Sequence, residues 1–141
     1  MRHFILSCES TTDLPYSYLN EREIAVIPYT YVIHEHVYED NMERNPDLMP
    51  KYYKMLEKGL LPTTSQINEA SYYDFFEELI QKGDVLHITF SSALSGSANN
   101  AYRAAAAIKK NYPEKQIQII DSLCGAGGYG LLTDYVADMR D

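Results

Sequence analysis

Short apolar, β-branched runs alternate along this chain with longer stretches of helical periodicity, and no other feature restricts the possible folds so strongly. His3 to Cys8, Asp84 to Phe90 and Gln116 to Ile120 read as buried strands, each followed by polar residues. Tyr72, Phe75, Phe76, Leu79 and Ile80 follow the i, i+3, i+4, i+7, i+8 pattern of an amphipathic helix, with Asn68 as its cap and Gly83 as its stop. Ala98, Ala101, Tyr102, Ala105 and Ile108 give another helix, with a smooth alanine face and an end marked by Pro113. A closing helix carries Leu131, Leu132, Tyr135, Val136 and Met139. Strands alternating with helices predict an α/β fold, a mainly parallel β-sheet with helices on both faces.

Other segments carry weaker signals. Leu14-Pro15 opens a short helix to Asn20. Ile24 to Ile33 is rich in β-branched residues and Tyr, but Pro28 cannot donate to a ladder, so an edge or bent strand is expected. Asp47 and Pro50 suit the start of a helix striped by Tyr52, Met55 and Leu56, with Gly59 at its C-terminus. Leu61 to Gln66 is a loop by composition.

In parallel sheets ligands sit beyond the carboxyl ends of the strands. Three hydroxyl-rich loops fall at such positions, 10–12, 91–97 and 121–122, and Thr63–Ser65 approaches from another direction. Ser and Thr at a helix start commonly only cap it. Clustered beside outward-pointing N–H groups, they can also hold a carboxylate or phosphate. The two roles are compatible, and composition alone does not separate them.

Composition and motifs narrow the function classes. The 141 residues suit one domain, and twelve Lys and Arg against twenty Asp and Glu leave a net charge of −8, which argues against nucleic acid. The longest apolar runs, such as Ala104 to Ile108, fall short of the roughly 20 residues of a membrane span, and the amino terminus has no signal-peptide pattern. Two cysteines, Cys8 and Cys124, suit reduced thiols and a cytoplasmic location. Thirteen tyrosines and five methionines suit either a ligand cavity or an ordinary core and surface. Gly125, Gly127, Gly128 and Gly130 lack the G-x-G-x-x-G order and come too late for a dinucleotide site; close helix packing explains them better. No P-loop and no G-x-S-x-G elbow is present. His34 and His36 would share one face of a strand, a weak metal pair without a third ligand, and His87 reads as a satisfied core residue.

Four stretches together resemble the DegV family of fatty-acid-binding proteins, which includes the binding subunits of bacterial fatty-acid kinases. Ser10-Thr11-Thr12-Asp13-Leu14-Pro15 follows the first strand, Thr64-Ser65-Gln66 follows Pro62, Ser91-Ser92-Ala93-Leu94-Ser95-Gly96-Ser97 follows a later strand, and Asp121-Ser122 precedes the Gly-rich turn. Their order and spacing match the family over nearly the whole chain. Glu9 stands where the family commonly has Asp, Ile67 replaces the Pro after Thr-Ser-Gln, and Ser97 replaces a Thr. Family members run to roughly twice this length, as two domains of ordinary size. Residues 1–141 are therefore expected to form an amino-terminal lipid-binding domain, without the second domain that closes the acyl tunnel and adds basic and histidine residues.

The resemblance implies a long-chain fatty acid as ligand, no cofactor, no enzymatic activity of the chain's own, and a separate ATP-dependent fatty-acid kinase as partner. It implies that Thr64 and Ser95 bind the carboxylate, with Ser65, Ser92 and Ser10 as secondary candidates, and that Tyr, Met and Ala-rich helix faces wall the tunnel. Contact with membrane would be at most transient and at its surface. Two other readings stay open: an enzyme of phosphotransferase type using the hydroxyl loops as a phosphate cradle, and a regulatory module with no ligand.

Overall fold

In a computed structural model that describes residues 4–141, the three expected strands form the centre of an α/β fold. The first, β1, spans Ile5–Glu9; His3, assigned to it above, lies outside the described residues. A 3-10 turn at Ser10–Thr12 leads through Leu14 and Pro15 into α1, Tyr16–Glu21. Ile24 to Ile33 is two strands and not one. β2, Ala25–Ile27, and β3, Thr30–Ile33, lie in different sheets, parted at Pro28-Tyr29. Pro28 has no N–H to offer a ladder, and the chain changes sheets there.

A hairpin joins β3 to β4, His36–Glu39, and then comes α2, Leu48–Glu57. His34 and Glu35 form its turn, both with positive φ, so His34 does not share a strand face with His36. Gly59 follows α2 at φ +78, the left-handed conformation that ends helices most easily when no Cβ is present. Thr63–Ser65 is a third strand of this small sheet, β5, and not the loop its composition predicts. Pairing with β3 overrides weak local propensity. Then follow α3, Glu69–Ile80; β6, Val85–Thr89; α4, Ser97–Asn111; β7, Ile117–Asp121; and α5, Ala126–Arg140.

The main sheet is parallel throughout, in the order β2-β1-β6-β7, and the small sheet is antiparallel, in the order β4-β3-β5. Strand alternation sends Val85, Ile117 and Ile119 to one face, where α3 and α4 cover them with Phe76, Ile80, Ala101, Ala104 and Ile108. Ala104 takes the buried place expected of Tyr102, which is exposed. Leu6, Cys8 and Ile88 point to the other face, against Leu19 of α1 and Tyr129 and Ala137 of α5. Burial and the adjoining Glu9 push the Cys8 thiol far up, so it behaves as an apolar residue.

Of the five apolar residues expected on the closing helix, Leu132 and Val136 pack against the core and the other three do not. Gly130, Thr133, Ala137 and Arg140 face inward, whereas Leu131, Tyr135 and Met139 are exposed. Small residues let α5 sit against the turn after β1, where a Cβ on Gly130 would collide with the Thr12 carbonyl. Arg140 then reaches the Glu23 carbonyl at 3.2 Å and the Arg22 carbonyl at 2.5 Å, satisfying acceptors just beyond α1.

A buried polar chain crosses the α3/α4 face. Glu9 is fully buried; its carboxylate accepts from the Tyr72 hydroxyl and from the Phe90 N–H at 2.8 Å. Its own N–H donates to the Tyr129 hydroxyl at 2.8 Å, which donates in turn to the Ile88 carbonyl. His87, caged by Tyr72, Phe75 and Phe76, is satisfied at one nitrogen only: Nδ1 lies 2.9 Å from Ser7 Oγ. Its Nε2 makes no hydrogen bond among the described residues and stands 3.7 Å from Glu9 Oε1. The ring fills a slot shaped by aromatics that holds its far nitrogen just beyond hydrogen-bond reach of the Glu9 carboxylate.

Two stability predictions follow from these contacts. Gly130→Ala should destabilise by about 1–3 kcal/mol through overpacking against backbone, read as a shifted urea midpoint at unchanged slope. Tyr72→Phe strips one donor from a buried carboxylate and should cost about 1.5–3 kcal/mol; a loss below about 0.5 kcal/mol would show that Glu9 does not depend on that bond.

Candidate functional site

The loops after β1 and β6 and the small sheet enclose a cavity of about 600 Å³, within the usual range for a small-molecule site. Thr30 and Tyr31 of β3, Thr64 and Ser65 of β5, and Leu48, Met49 and Tyr52 of α2 form one side. Thr11, Phe90, Leu94 and Ser95 form the other. The location beyond the carboxyl ends of β1 and β6 is where a parallel sheet is expected to place a ligand.

Hydrogen bonds between loops set this geometry. Asn68 caps α3, its side chain accepting from the Ser71 N–H at 2.9 Å. One residue earlier, the Ile67 N–H donates to Ser97 Oγ at 3.1 Å, and Asn100 Nδ2 donates to the Ile67 carbonyl at 2.7 Å. A proline at 67 would lack that N–H. Gln66 lies over Gly96, where a Cβ would come within 2.5 Å of its Oε1. The Thr64-Ser65-Gln66 strand and the Ser95-Gly96-Ser97 turn are thereby held together across the mouth of the cavity.

Three of the five candidate residues line the cavity: Thr64, Ser65 and Ser95. Ser92 and Ser10 do not. The Ser92 N–H donates to Asp121 Oδ1 at 3.1 Å, and Leu123 N–H shares that oxygen, so Ser92 belongs to the bracing between the loops after β6 and β7. Burial opposes ionisation of Asp121, but the hydrogen bonds from Ser92 and Leu123 outweigh it and hold its carboxyl below the usual range. Ser10 is buried; its Oγ accepts from the Tyr29 N–H at 3.0 Å. It positions Tyr29 and does not reach the cavity.

Tyr29 is a lining residue that sequence reasoning passed over, and Thr11 of the 10–12 loop lines the cavity where Ser10 was the residue expected. Tyr29 lines the cavity half-buried, packs edge-on against Phe90, and brings its hydroxyl to 3.3 Å from Ser95 Oγ. Burial and the negative Glu9 push its phenol up, so it stays a donor at neutral pH. Only its place immediately after Pro28 hinted at it. Thr11 Oγ1 is buried with no partner among the described residues.

Tyr31, Tyr52, Met42 and Met49 contribute apolar wall, but the alanines of α4 do not; Ala101, Ala104 and Ala105 pack in the core with α3 instead. Among the lining residues Asp40 alone is charged, and its Oδ1 accepts from the Met42 N–H. The described residues include no group of three His, Cys, Asp or Glu suited to a metal, and no helix long and apolar enough to cross a membrane.

A cavity lined by aromatic, Met and Leu side chains together with hydroxyl groups is matched by likeness to known proteins. The family model for uncharacterised proteins of the DegV family matches residues 5–141. A DegV domain-containing protein of Clostridium perfringens is 34% identical over 142 residues, covering 99% of this chain and 48% of that protein. A protein of Thermotoga maritima named fatty acid-binding protein is 31% identical, over 94% of this chain and 45% of its own length. Among solved structures, a stearic acid-binding protein from Eubacterium ventriosum superposes with a TM-score of 0.84 at 28% identity, covering 96% of this chain and 47% of that one. The chain spans about half the length of the curated relatives it matches. By the family model and by these relatives, this chain belongs to the DegV family.

Proposed function

We propose that this chain binds a long-chain fatty acid, burying the acyl tail and holding the carboxylate with hydroxyl donors that include Thr64 and Ser95. The observation that carries this reading is the cavity itself, lined by aromatic, Met and Leu side chains and by Thr64, Ser65 and Ser95 from two separate motifs. The similarity to a stearic acid-binding protein and to a relative named fatty acid-binding protein supports it.

The energetics divide between the two ends. Burying a methylene is worth about 0.8 kcal/mol, so a tail of about fifteen supplies on the order of 10 kcal/mol before the entropic costs of binding. A hydrogen bond to a carboxylate nets about 1.5–3 kcal/mol. The tail gives affinity, and the hydroxyls decide which end stays at the mouth. A phosphate dianion finds less here: among the described residues Asp40 is the sole charged one lining the cavity, Glu9 adds negative potential nearby, and no cation lines it. The phosphate-cradle reading has correspondingly less support.

The chain acts as a carrier and not a catalyst, presenting the carboxylate to a separate ATP-dependent kinase. The absence of a P-loop or dinucleotide fingerprint in the sequence supports that division. Residues 1–141 serve as the amino-terminal, tail-binding part, in a cytoplasmic setting.

Incubation with oleate followed by native mass spectrometry, with the released lipid identified after denaturation, tests the reading. The wild-type chain should carry one oleate. The double variant Thr64→Val, Ser95→Ala should lose at least tenfold in affinity while still folding and melting cooperatively. Equal retention of lipid by the folded variant would remove the two residues from the site, and no uptake by the wild-type chain would overturn fatty-acid binding itself.

A further inference from the structure

We infer that Tyr29 is a further head-group donor, its hydroxyl turning from Ser95 to a ligand carboxylate oxygen when the cavity fills. This deepens the fatty-acid reading and rests on it. The inference comes from counting hydrogen-bond valences at Ser95. A serine hydroxyl has one proton and two lone pairs. Around Ser95 Oγ stand the Ser97 N–H at 3.2 Å, Ser97 Oγ at 3.1 Å and the Tyr29 hydroxyl at 3.3 Å. The N–H must donate. The two hydroxyl partners then use the remaining lone pair and the proton, whichever way each is turned, so all three valences of Ser95 are engaged within the chain. Ser97 is engaged too, because its Oγ accepts from the Ile67 N–H that ties β5 to α4.

Tyr29 is differently placed. Its contact with Ser95 is the longest of the three there and at the weak end of the hydrogen-bond range, and Ser97 is its other hydroxyl neighbour. Redirecting that hydroxyl gives up only weak contacts with Ser95 and Ser97, whereas redirecting the Ser95 proton disturbs the turn that holds the two motifs together. The ring cannot drift away, because the Tyr29 N–H is fixed by buried Ser10 and the ring packs edge-on against Phe90. The phenol is protonated at neutral pH and so is a ready donor. Ser10 thus contributes to the site at one remove, as the positioning residue for Tyr29.

The ligand class follows from the donor set. Thr64 and Tyr29 offer neutral hydroxyl protons, and Ser95 gains a free valence once Tyr29 turns away; such a set holds a monoanion with two acceptor oxygens by hydrogen bonds alone. A neutral alcohol of the same chain length gains far less from them.

Tyr29→Phe removes one oxygen and keeps the ring on Phe90. Affinities for oleate and for oleyl alcohol should be measured by calorimetry on wild type and variant, each with its melting curve. The preference for oleate over oleyl alcohol should fall by roughly ten- to a hundredfold in the variant, the size of a lost hydrogen bond to a charged group. An unchanged preference, or equal losses for both ligands, would overturn the assignment, because a packing role weakens both alike. On wild-type protein carrying ¹³Cζ-labelled tyrosine, the Tyr29 resonance should shift with oleate and stay in place with oleyl alcohol. A shift of the same size with both would also overturn it. No oleate uptake by wild type would remove the fatty-acid reading and this assignment together, whereas uptake without a Tyr29 effect removes the assignment alone.

Discussion

The carboxylate of Glu9 is the interaction on which the rest of the site depends. Withdrawing a carboxylate from water costs several kcal/mol unless hydrogen bonds replace the lost hydration. Here they come from Tyr72 of α3 and from the N–H of Phe90, the first residue past β6. Burial and the charge of Glu9 push the Tyr72 phenol far up, which keeps it a donor. One buried group therefore ties β1 to a helix on one face and to the start of the 91–97 loop. The two loops flanking the cavity are held to a common point inside the protein.

The cavity exists because the chain leaves its parallel sheet at Pro28. Had β2 and β3 been continuous, Thr30 and Tyr31 would have extended the main sheet, and Thr63–Ser65 would have lacked a partner strand. The departure instead builds a small antiparallel sheet that carries the Thr64 motif to face the Ser95 loop. Tyr29 sits at the point of departure, anchored by Ser10 behind it and turned to the cavity in front.

The same economy explains why a closing helix with five large apolar residues buries so few of them deeply. Gly130, Thr133 and Ala137 let its backbone approach the turn after β1, and Arg140 completes the contact with two carbonyls beyond α1. Close approach of backbone decided the orientation: Tyr129 enters the core, Leu132 and Val136 flank it, and Leu131, Tyr135 and Met139 are left to the outside. Periodicity reports which faces are apolar, whereas the choice between them is made by the shape of what lies opposite.

Patterns read along one segment at a time were enough for the α/β class, the three central strands, the Asn68 cap, the Gly59 helix end and the position of the hydroxyl loops. Each is governed by neighbours a few residues away: alternation, caps and turn residues act over one or two turns of chain. The family resemblance was legible for the same reason, being four short motifs in order. Tertiary structure decided what depends on partners far apart in the chain. Thr63–Ser65 became a strand because β3, some thirty residues earlier, offered an edge. Ser92 and Ser10 turned from site to scaffold because Asp121 and the Tyr29 N–H claimed them. Tyr29, unremarked among thirteen tyrosines, entered the site because Ser95 lies 66 positions away in sequence and one hydrogen bond away in space. A hydroxyl's chemistry is written in its residue type, but its role is set by which valences its neighbours leave free, and only the folded chain fixes those neighbours.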